Sequence, residues 1–277
     1  MEWLDALILG IVQGLTEYLP VSSSGHLEIF KTILGIDLPA DENLQFSVIL
    51  HAATVLSTIV VLWPMFRDLC RSFFTFRRDA DFYYVCKILL SCIPVAIVGF
   101  CFKDQVEQIF SDGLLVVGIC LCVTAALLLF AQLSDMRKVR GHVGLEPQNA
   151  GRDISWWDAL IIGCAQAVAV LPGLSRSGTT IATGIMLGDK RSQVANFSFL
   201  MVIIPILGEA LLDVKDMIDP AYHATMQASV LCMVVGFIAA FVSGCAACSW
   251  MISLVKKGNL WWFSLYCVVM GILCILW

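Results

Sequence analysis

Charged side chains are scarce in this chain, and their scarcity excludes most kinds of soluble protein. Lys, Arg, Asp and Glu make up 14% of the 277 residues, whereas a soluble domain carries about 25%. Hydrophobic residues make up 59%, and the mean hydropathy is +0.87. The composition therefore predicts an all-α polytopic membrane protein that forms a single integral membrane domain over residues 1–277.

The sequence also lacks the features of a nucleic-acid-binding face, a signal peptide and a zinc site. Basic residues are too few to form a nucleic-acid-binding face, since 17 Lys and Arg stand against 22 Asp and Glu. No basic stretch precedes the first apolar run, which follows Glu2, so no signal peptide is expected. The twelve cysteines stand mostly alone, and the pair Cys245 and Cys248 has no second pair nearby. We therefore expect no nucleic-acid partner, and cysteines that pack rather than bind zinc.

Long apolar runs predict six transmembrane helices, because about 20 apolar residues are needed to cross the hydrocarbon core. These runs cover about 44–66, 84–102, 113–133, 196–212, 228–254 and 260–277. Two more segments, residues 3–35 and 155–190, begin apolar and are then interrupted by Pro, Gly and Ser. Irregular backbone at membrane depth is tolerated only where protein or water surrounds it. Each interrupted segment is therefore predicted to be a re-entrant helix–turn–helix.

The charges of the loops predict the orientation of the spans. Basic residues concentrate at 67–83, 134–153 and 256–257, which places these loops in the cytoplasm. The loops at 103–112 and 213–219 are acidic or neutral and are expected outside. Three spans follow each re-entrant segment, so the second set must enter from the opposite face. The prediction is two inverted-topology repeats, at about 1–133 and 154–277, joined by a cytoplasmic linker at about 134–153.

The repeat is visible in the two interrupted segments themselves. Residues 5–13 (DALILGIVQ) and 158–166 (DALIIGCAQ) agree at six of nine positions, 153 residues apart. Each run then enters a turn rich in Ser and Gly, PVSSSGH at 20–26 and PGLSRSG at 172–178. A chain that breaks twice in this way is expected to bring two half-helices to one polar site.

The first arm, residues 13–26, carries acid–base groups. Gln13 and Glu17 are four residues apart and share one helix face. A carboxylate in so apolar a run costs about 2.5–3.5 kcal/mol to insert, so Glu17 is expected to have a partner, a metal ion or a raised pKa. The turn that follows adds three hydroxyls, a flexible glycine and a titratable base: Ser22, Ser23, Ser24, Gly25 and His26.

The second arm, residues 172–180, carries a cation instead. Arg176 is always charged, and its guanidinium can hold two phosphate oxygens at once. Amides and hydroxyls at the start of the following helix suit an anion. The residues expected to bind phosphate with it come from both arms: Ser22, Ser24, Gly25, Ser175, Ser177, Gly178 and Thr179. Together the two arms predict phosphoryl transfer on an anionic head group held in the membrane.

The two arms differ where chemistry is expected. Gln13 corresponds to Gln166, but Glu17 corresponds to Val170, and an arginine stands in the place of Ser23. A purely structural duplication needs no such division between an acid–base arm and a cationic arm.

These motifs resemble those of the bacterial undecaprenyl-diphosphate phosphatase family, often called BacA or UppP. That family carries E/Q-x-x-x-E running into PVSSxGH, and a second motif, PGxSRSGxT. Here they read QGLTEYLPVSSSGH at 13–26 and PGLSRSGTT at 172–180, and the resemblance covers essentially the whole chain. The first acidic position is Gln13 in this chain, so a metal site that needs two carboxylates at these positions is not expected.

The resemblance implies hydrolysis of undecaprenyl diphosphate to undecaprenyl phosphate and inorganic phosphate. It places this reaction at the outer, periplasmic face of the bacterial plasma membrane, where it recycles the lipid carrier for peptidoglycan and other cell-wall polymers. It also implies a divalent cation, Mg²⁺ or Ca²⁺, for which Glu17 is the expected ligand, and an association with bacitracin resistance. The sequence leaves a homodimer open.

Three ways of starting the reaction remain open from the residues alone. In the favoured one, Ser23 attacks the terminal phosphorus, His26 is the general base, and Glu17 orients His26 or holds the cation. Alternatively, His26 is itself the nucleophile, or Glu17 and His26 activate water. In each, Arg176 stabilises charge on the phosphate with the serines beside it. Two further polar residues are expected to support the site: Gln13 and His51, the latter in the sequence LHAAT.

The main alternative is a transporter or flippase of a polyprenyl phosphate lipid. Inverted repeats with broken helices at the membrane midplane are typical of transporters. Glu17 and His26 on one arm favour an enzyme, because moving a phosphate head group needs neither a nucleophile nor a base.

Overall fold

The computed structural model describes residues 1–36, 38–102, 114–141, 151–217 and 230–277, which form α-helices joined by short turns. The helices before the predicted linker are α1 Trp3–Tyr18, α2 Ser23–Leu34, α3 Ala40–Val61, α4 Trp63–Phe74, α5 Ala80–Cys101 and α6 Leu114–Gly141. Those after it are α7 Trp156–Val168, α8 Arg176–Leu187, α9 Arg191–Met201, α10 Ile203–Met217, α11 Val230–Lys257 and α12 Trp261–Leu276.

Five stretches of the described chain are long and apolar enough to cross a membrane, as expected for a polytopic membrane protein. They are Glu42–Val61, Ala80–Cys101, Leu114–Ser134, Arg191–Gly208 and Val230–Lys257. The sixth predicted span, 260–277, is a helix of only 16 residues, α12. At 1.5 Å per residue it reaches about 24 Å, which is shorter than the hydrocarbon core.

Two predicted spans are interrupted by proline. The span predicted at 44–66 ends with α3 at Val61, and its last residues open α4, where Pro64 lies in the first turn. The span predicted at 196–212 is split at Val202 between α9 and α10. Pro205 lacks the N–H that would bond the carbonyl of Met201, and that carbonyl accepts from the Cys92 thiol at 3.5 Å instead.

The predicted loops are shorter than expected where they are described. Helix α6 continues to Gly141, through the first part of the predicted linker at 134–153, and α10 continues to Met217, through most of the predicted loop at 213–219. The predicted outer loop at 103–112 lies outside the described residues.

Both interrupted segments form the predicted helix–turn–helix. In each, the second helix begins at a serine N-cap, Ser22 for α2 and Ser175 for α8. Each ends at a glycine in the left-handed conformation, Gly35 with φ 64° and Gly188 with φ 100°, which only glycine adopts at no steric cost. Both pairs are 153 residues apart in the chain, so the two arms share one local design.

Each arm packs on a long helix from the other half of the chain. Helix α1 lies along α11, and α7 lies along α5. These contacts are close because a methyl group on Gly10 would overlap the carbonyl of Gly236, and one on Gly163 would overlap the carbonyl of Ser91. The two halves are therefore interleaved, and each half helps to hold the other's arm in place.

Helices α6 and α12 pair through a third glycine contact. A Cβ on Gly118 would lie 2.7 Å from the carbonyl oxygen of Gly271, and one on Gly271 would lie 2.8 Å from that of Gly118. These glycines are again 153 residues apart. Between the halves, a core that includes Tyr18, Phe197 and Met251 fills the space beneath the turns.

Candidate active site

The turns of the two arms meet one another through reciprocal contacts. A Cβ on Gly25 would lie 3.3 Å from the Cα of Gly173, and one on Gly178 would lie 3.1 Å from the Cβ of Pro20. Gly25 and Gly178 are equivalent positions of the two arms, as are Pro20 and Gly173. The glycines therefore allow the two polar turns to come together at one place, as the sequence predicts.

Glu17 is the centre of a polar cluster on the first arm. Its Oε2 atom accepts hydrogen bonds from Gln13 Nε2 at 2.9 Å and from Ser23 Oγ at 2.7 Å. The Nε2 atom of His51 lies 3.9 Å from the same oxygen. The Glu17 side chain is 7% exposed, so these contacts form where water screens little. Three of the predicted site residues thus converge on the carboxylate of a fourth.

His26 is engaged elsewhere. Its Nδ1 atom lies 2.8 Å from the carbonyl oxygen of Ser22, and because a carbonyl can only accept, Nδ1 carries the hydrogen. Nε2 therefore accepts a hydrogen bond from the hydroxyl of Tyr266 at 2.6 Å, and the two rings stack with centroids 5.6 Å apart. Both ring nitrogens of His26 are thus occupied.

This geometry corrects the predicted pairing of Ser23 with His26. Among the described contacts, the Ser23 hydroxyl donates to the Glu17 carboxylate, whereas the sequence predicted the His26 imidazole as its partner. The physical reason is local. His26 lies one helical turn beyond Ser22, and the Ser22 carbonyl, which accepts the His26 backbone amide at 3.2 Å, also accepts the hydrogen bond from its ring.

Two predicted phosphate ligands serve as helix caps. Ser22 Oγ accepts from the amide of Gly25 at 3.3 Å, and Ser175 Oγ accepts from the amide of Gly178 at 3.0 Å. Ser24 Oγ lies 3.4 Å from Ser22 Oγ, which is a weak contact. The caps fix the starts of α2 and α8, where the first backbone amides of a helix favour an anion.

Arg176 is the cation of the second arm. It is half-buried and lines one cleft with Glu17, whose carboxylate it attracts. Its guanidinium makes no hydrogen bond to the described residues. Beside it, Ser177 Oγ donates to the carbonyl of Leu19 at 3.2 Å, which adds a second link between the arms. The hydroxyl of Thr179 is buried without a partner among the described residues.

The cleft shared by Glu17 and Arg176 has a polar end and an apolar wall. It is narrow, with a cavity volume of about 10 Å³, which is room for about one water molecule. Its polar lining includes Gln166, Ser177 and Ser198, and its apolar lining includes Val55, Phe199, Val202 and Ile206. Charged, polar and apolar side chains therefore line one narrow cleft between the two arms.

Sequence reasoning missed three polar residues of this region. Tyr266 is 240 residues from His26 in the chain and was hidden in an apolar helix between interfacial aromatic residues. A tyrosine hydroxyl in such a helix needs a polar partner, which is the signal that could have found it. The sequence singled out Gln166 only as the counterpart of Gln13, and Ser198 lies in a predicted span with no motif to distinguish it.

The chain matches known proteins along almost its whole length. The family model described as "Bacitracin resistance protein BacA" matches residues 6–273. A protein of Bacteroides fragilis named undecaprenyl-diphosphatase is 54% identical over 275 residues, which cover 99% of this chain and 98% of the relative. A protein of the same name in Bacteroides thetaiotaomicron is 50% identical, and the match covers 100% of this chain and 99% of the relative. Undecaprenyl-diphosphatase 1 of Bacillus cereus is 36% identical, and the match covers 99% of this chain and 97% of the relative.

Proposed function

Since the chain belongs to the bacitracin resistance protein BacA family, we propose that it is an undecaprenyl-diphosphatase, a membrane hydrolase that converts undecaprenyl diphosphate to undecaprenyl phosphate and inorganic phosphate. The observation that carries this proposal is the hydrogen bond from Ser23 to Glu17 on one arm, beside a cleft that Glu17 shares with Arg176 of the other arm. A nucleophile, a base and a phosphate-binding cation are thereby held together.

In the proposed mechanism Ser23 is the nucleophile and Glu17 is its base. As Ser23 Oγ attacks the terminal phosphorus, its proton passes to Glu17, to which it is already hydrogen-bonded. The bond from phosphorus to the bridging oxygen breaks, and undecaprenyl phosphate leaves. Water then attacks the phosphoserine, which releases inorganic phosphate and restores the hydroxyl. Arg176 stabilises the negative charge on the phosphate oxygens in both steps.

His26 has a positioning role in this mechanism. Its Nδ1–H bond to the Ser22 carbonyl holds the turn that presents Ser23, and Tyr266 fixes the orientation of the ring. The alternatives in which His26 attacks phosphorus, or activates water, require the Tyr266 hydroxyl to leave Nε2. Ser23 needs no such rearrangement, and for that reason we favour it as the nucleophile.

A divalent cation, Mg²⁺ or Ca²⁺, fits the first arm if the substrate supplies part of its coordination. The described residues hold no group of three or more His, Cys, Asp or Glu side chains that could hold a metal alone. Glu17 offers a carboxylate, and Gln13 Oε1 is a buried carbonyl oxygen without a partner in the described chain. Mg²⁺ commonly binds one or two carboxylates together with substrate phosphates. When bound, the cation would neutralise phosphate charge.

The proposal includes two inverted-topology repeats in the bacterial plasma membrane, with the re-entrant tips meeting at a site that opens to the outer side. Three observations support it: the loop charges, the 153-residue spacing of equivalent contacts, and the exchange of packing partners between α1–α11 and α7–α5. Such interleaving is what two related halves facing opposite ways would produce.

The test is phosphate release from defined undecaprenyl diphosphate by the purified protein in detergent micelles containing Mg²⁺ or Ca²⁺. The proposal predicts one inorganic phosphate per lipid. Binding of the intact lipid without phosphate release would contradict it and would favour a transporter.

A further inference from the structure

The side chain of Gln166 is fully buried, yet its carboxamide has no hydrogen-bond partner within the described part of the chain. Both Nε2 and Oε1 are unpaired, and the residue lines the same cleft as Arg176. Ser198, another residue of that cleft, is 3% exposed and has an equally unpaired hydroxyl. Buried polar groups in proteins are nearly always paired, so unpaired ones that line one cleft point to a ligand.

The equivalent residue of the first arm explains why the Gln166 amide lacks a partner among the described residues. Gln13 stands at the equivalent position of the first arm, and its Nε2 donates to Glu17 at 2.9 Å. In the second arm the residue in the place of Glu17 is Val170, which cannot accept a hydrogen bond. The Gln166 amide therefore faces the cleft with a donor for which the described residues supply no acceptor.

The chemistry of the cleft selects the ligand. Gln166 Nε2 and the Arg176 guanidinium are donors without hydrogen-bond acceptors among the described residues, and a phosphate group offers acceptors on all sides. The side chains of Val202 and Ile206, on the apolar wall of the cleft, offer no acceptor that would compete with a phosphate for these donors. We propose that Gln166, assisted by Ser198, is a substrate-binding residue that donates a hydrogen bond to a phosphate of the diphosphate head group beside Arg176.

The inference rests on the proposed function and is tested with Gln166→Met, which keeps the length of the side chain and removes both polar atoms. The matched control is Gln132→Met. The Gln132 Oε1 atom accepts from the amide of Leu260 at 3.0 Å, so this glutamine has a structural partner, and it does not line the cleft. Phosphate release gives KM and kcat for both variants. Protection against thermal unfolding by inorganic pyrophosphate gives head-group binding without turnover.

Opposite outcomes are expected for the two variants. Gln166→Met should raise KM by about tenfold or more, because a hydrogen bond to a charged group is lost, and should change kcat far less. It should weaken pyrophosphate binding in proportion and leave the melting temperature unchanged or higher, since an unpaired amide is removed. Gln132→Met should lower the melting temperature and leave KM unchanged. Gln166→Glu should weaken pyrophosphate binding further than Gln166→Met, through repulsion.

The inference would be overturned if Gln166→Met kept the wild-type KM and the wild-type protection by pyrophosphate. If its melting temperature were also lower, the Gln166 amide would have a structural role instead. The two failures are distinguishable. A wild-type protein that releases no phosphate contradicts the proposed function, whereas the pyrophosphate protection experiment still tests the subsite directly.

Discussion

The hydroxyl of Ser23 donates a hydrogen bond to Glu17, with 2.7 Å between Oγ and Oε2. The bond spans the turn of the first arm and joins the last turn of α1 to the first residue of α2. Gln13 donates to the same oxygen from the other side, so the carboxylate is oriented before any substrate binds. For this reason we propose that Ser23 and Glu17 take part in the chemical step.

Ser23→Ala is expected to remove turnover, because no other described hydroxyl donates to Glu17. We expect a loss of at least about a thousandfold in kcat, as for other enzymes that lose a nucleophile. Initial rates of phosphate release measure it. The matched control is Ser249→Ala on α11, where the hydroxyl only bonds the carbonyl of Cys245 within its own helix. A folded Ser23→Ala protein with wild-type turnover would exclude Ser23 as nucleophile.

Glu17→Gln keeps the shape of the side chain and removes its basicity. Loss of a general base typically costs about 10²–10⁴-fold in rate, and we expect kcat to fall within that range. The measurement is the rate of phosphate release at several pH values. Equal rates in the wild type and Glu17→Gln would show that the carboxylate only positions Ser23.

Arg176→Lys separates charge from geometry in the second arm. Lysine keeps the positive charge but cannot form two parallel hydrogen bonds to a phosphate. We expect Arg176→Ala to lose about 10²–10³-fold in kcat/KM, and Arg176→Lys to recover only part of that loss. Full activity of either purified variant would refute the assignment of Arg176 as the phosphate clamp.

Tyr266→Phe tests the role of His26, because it removes the hydroxyl that occupies Nε2. If His26 positions the turn, kcat should fall by about tenfold, which is the effect of losing one such hydrogen bond. If His26 is the nucleophile, uncovering Nε2 should raise the rate. Trapping the phosphoenzyme and testing its acid stability distinguishes the two, since phosphoserine survives acid and phosphohistidine does not.

Gly10→Ala and Gly163→Ala test the interleaved packing of the arms. Each added methyl would overlap a backbone carbonyl of the helix that holds the arm, so we expect a loss of about 1–3 kcal/mol in stability. Gly99→Ala is the control, because a Cβ there meets nothing within 4 Å and alanine favours the helix. Thermal unfolding in detergent measures all three. Equal melting temperatures would contradict the close packing of α1 on α11 and of α7 on α5.

Much of the site was predictable because its signals are local. The spacing of Gln13 and Glu17 placed them on one helix face, and the two Ser/Gly-rich turns marked where the helices break. The pairing of Ser23 was not predictable, since it depends on which way the turn folds back on α1. Tyr266 reaches His26 only through the packing of α12, a contact between residues 240 apart that no local pattern reveals.

Two predicted spans are divided into separate helices in the structure, and the reason is similar. Apolar composition continues through Leu62 and Val202, so a hydropathy window joins helices that the structure separates. Pro64 and Pro205 were the signals of those breaks, because each lies in the first turn of the next helix. The sequence predicted that the two turns meet, but no local pattern indicated which of their residues come into contact.

The central claim is that the two turns form one phosphatase site, with Ser23 and Glu17 on one arm and Arg176 on the other. The most direct measurement is the release of inorganic phosphate from defined undecaprenyl diphosphate by purified wild-type, Ser23→Ala and Arg176→Ala proteins of equal melting temperature. The account predicts one phosphate per lipid for the wild type and a severe loss of turnover in both variants. Release at the wild-type rate by either variant, or no release by the wild type, would contradict it.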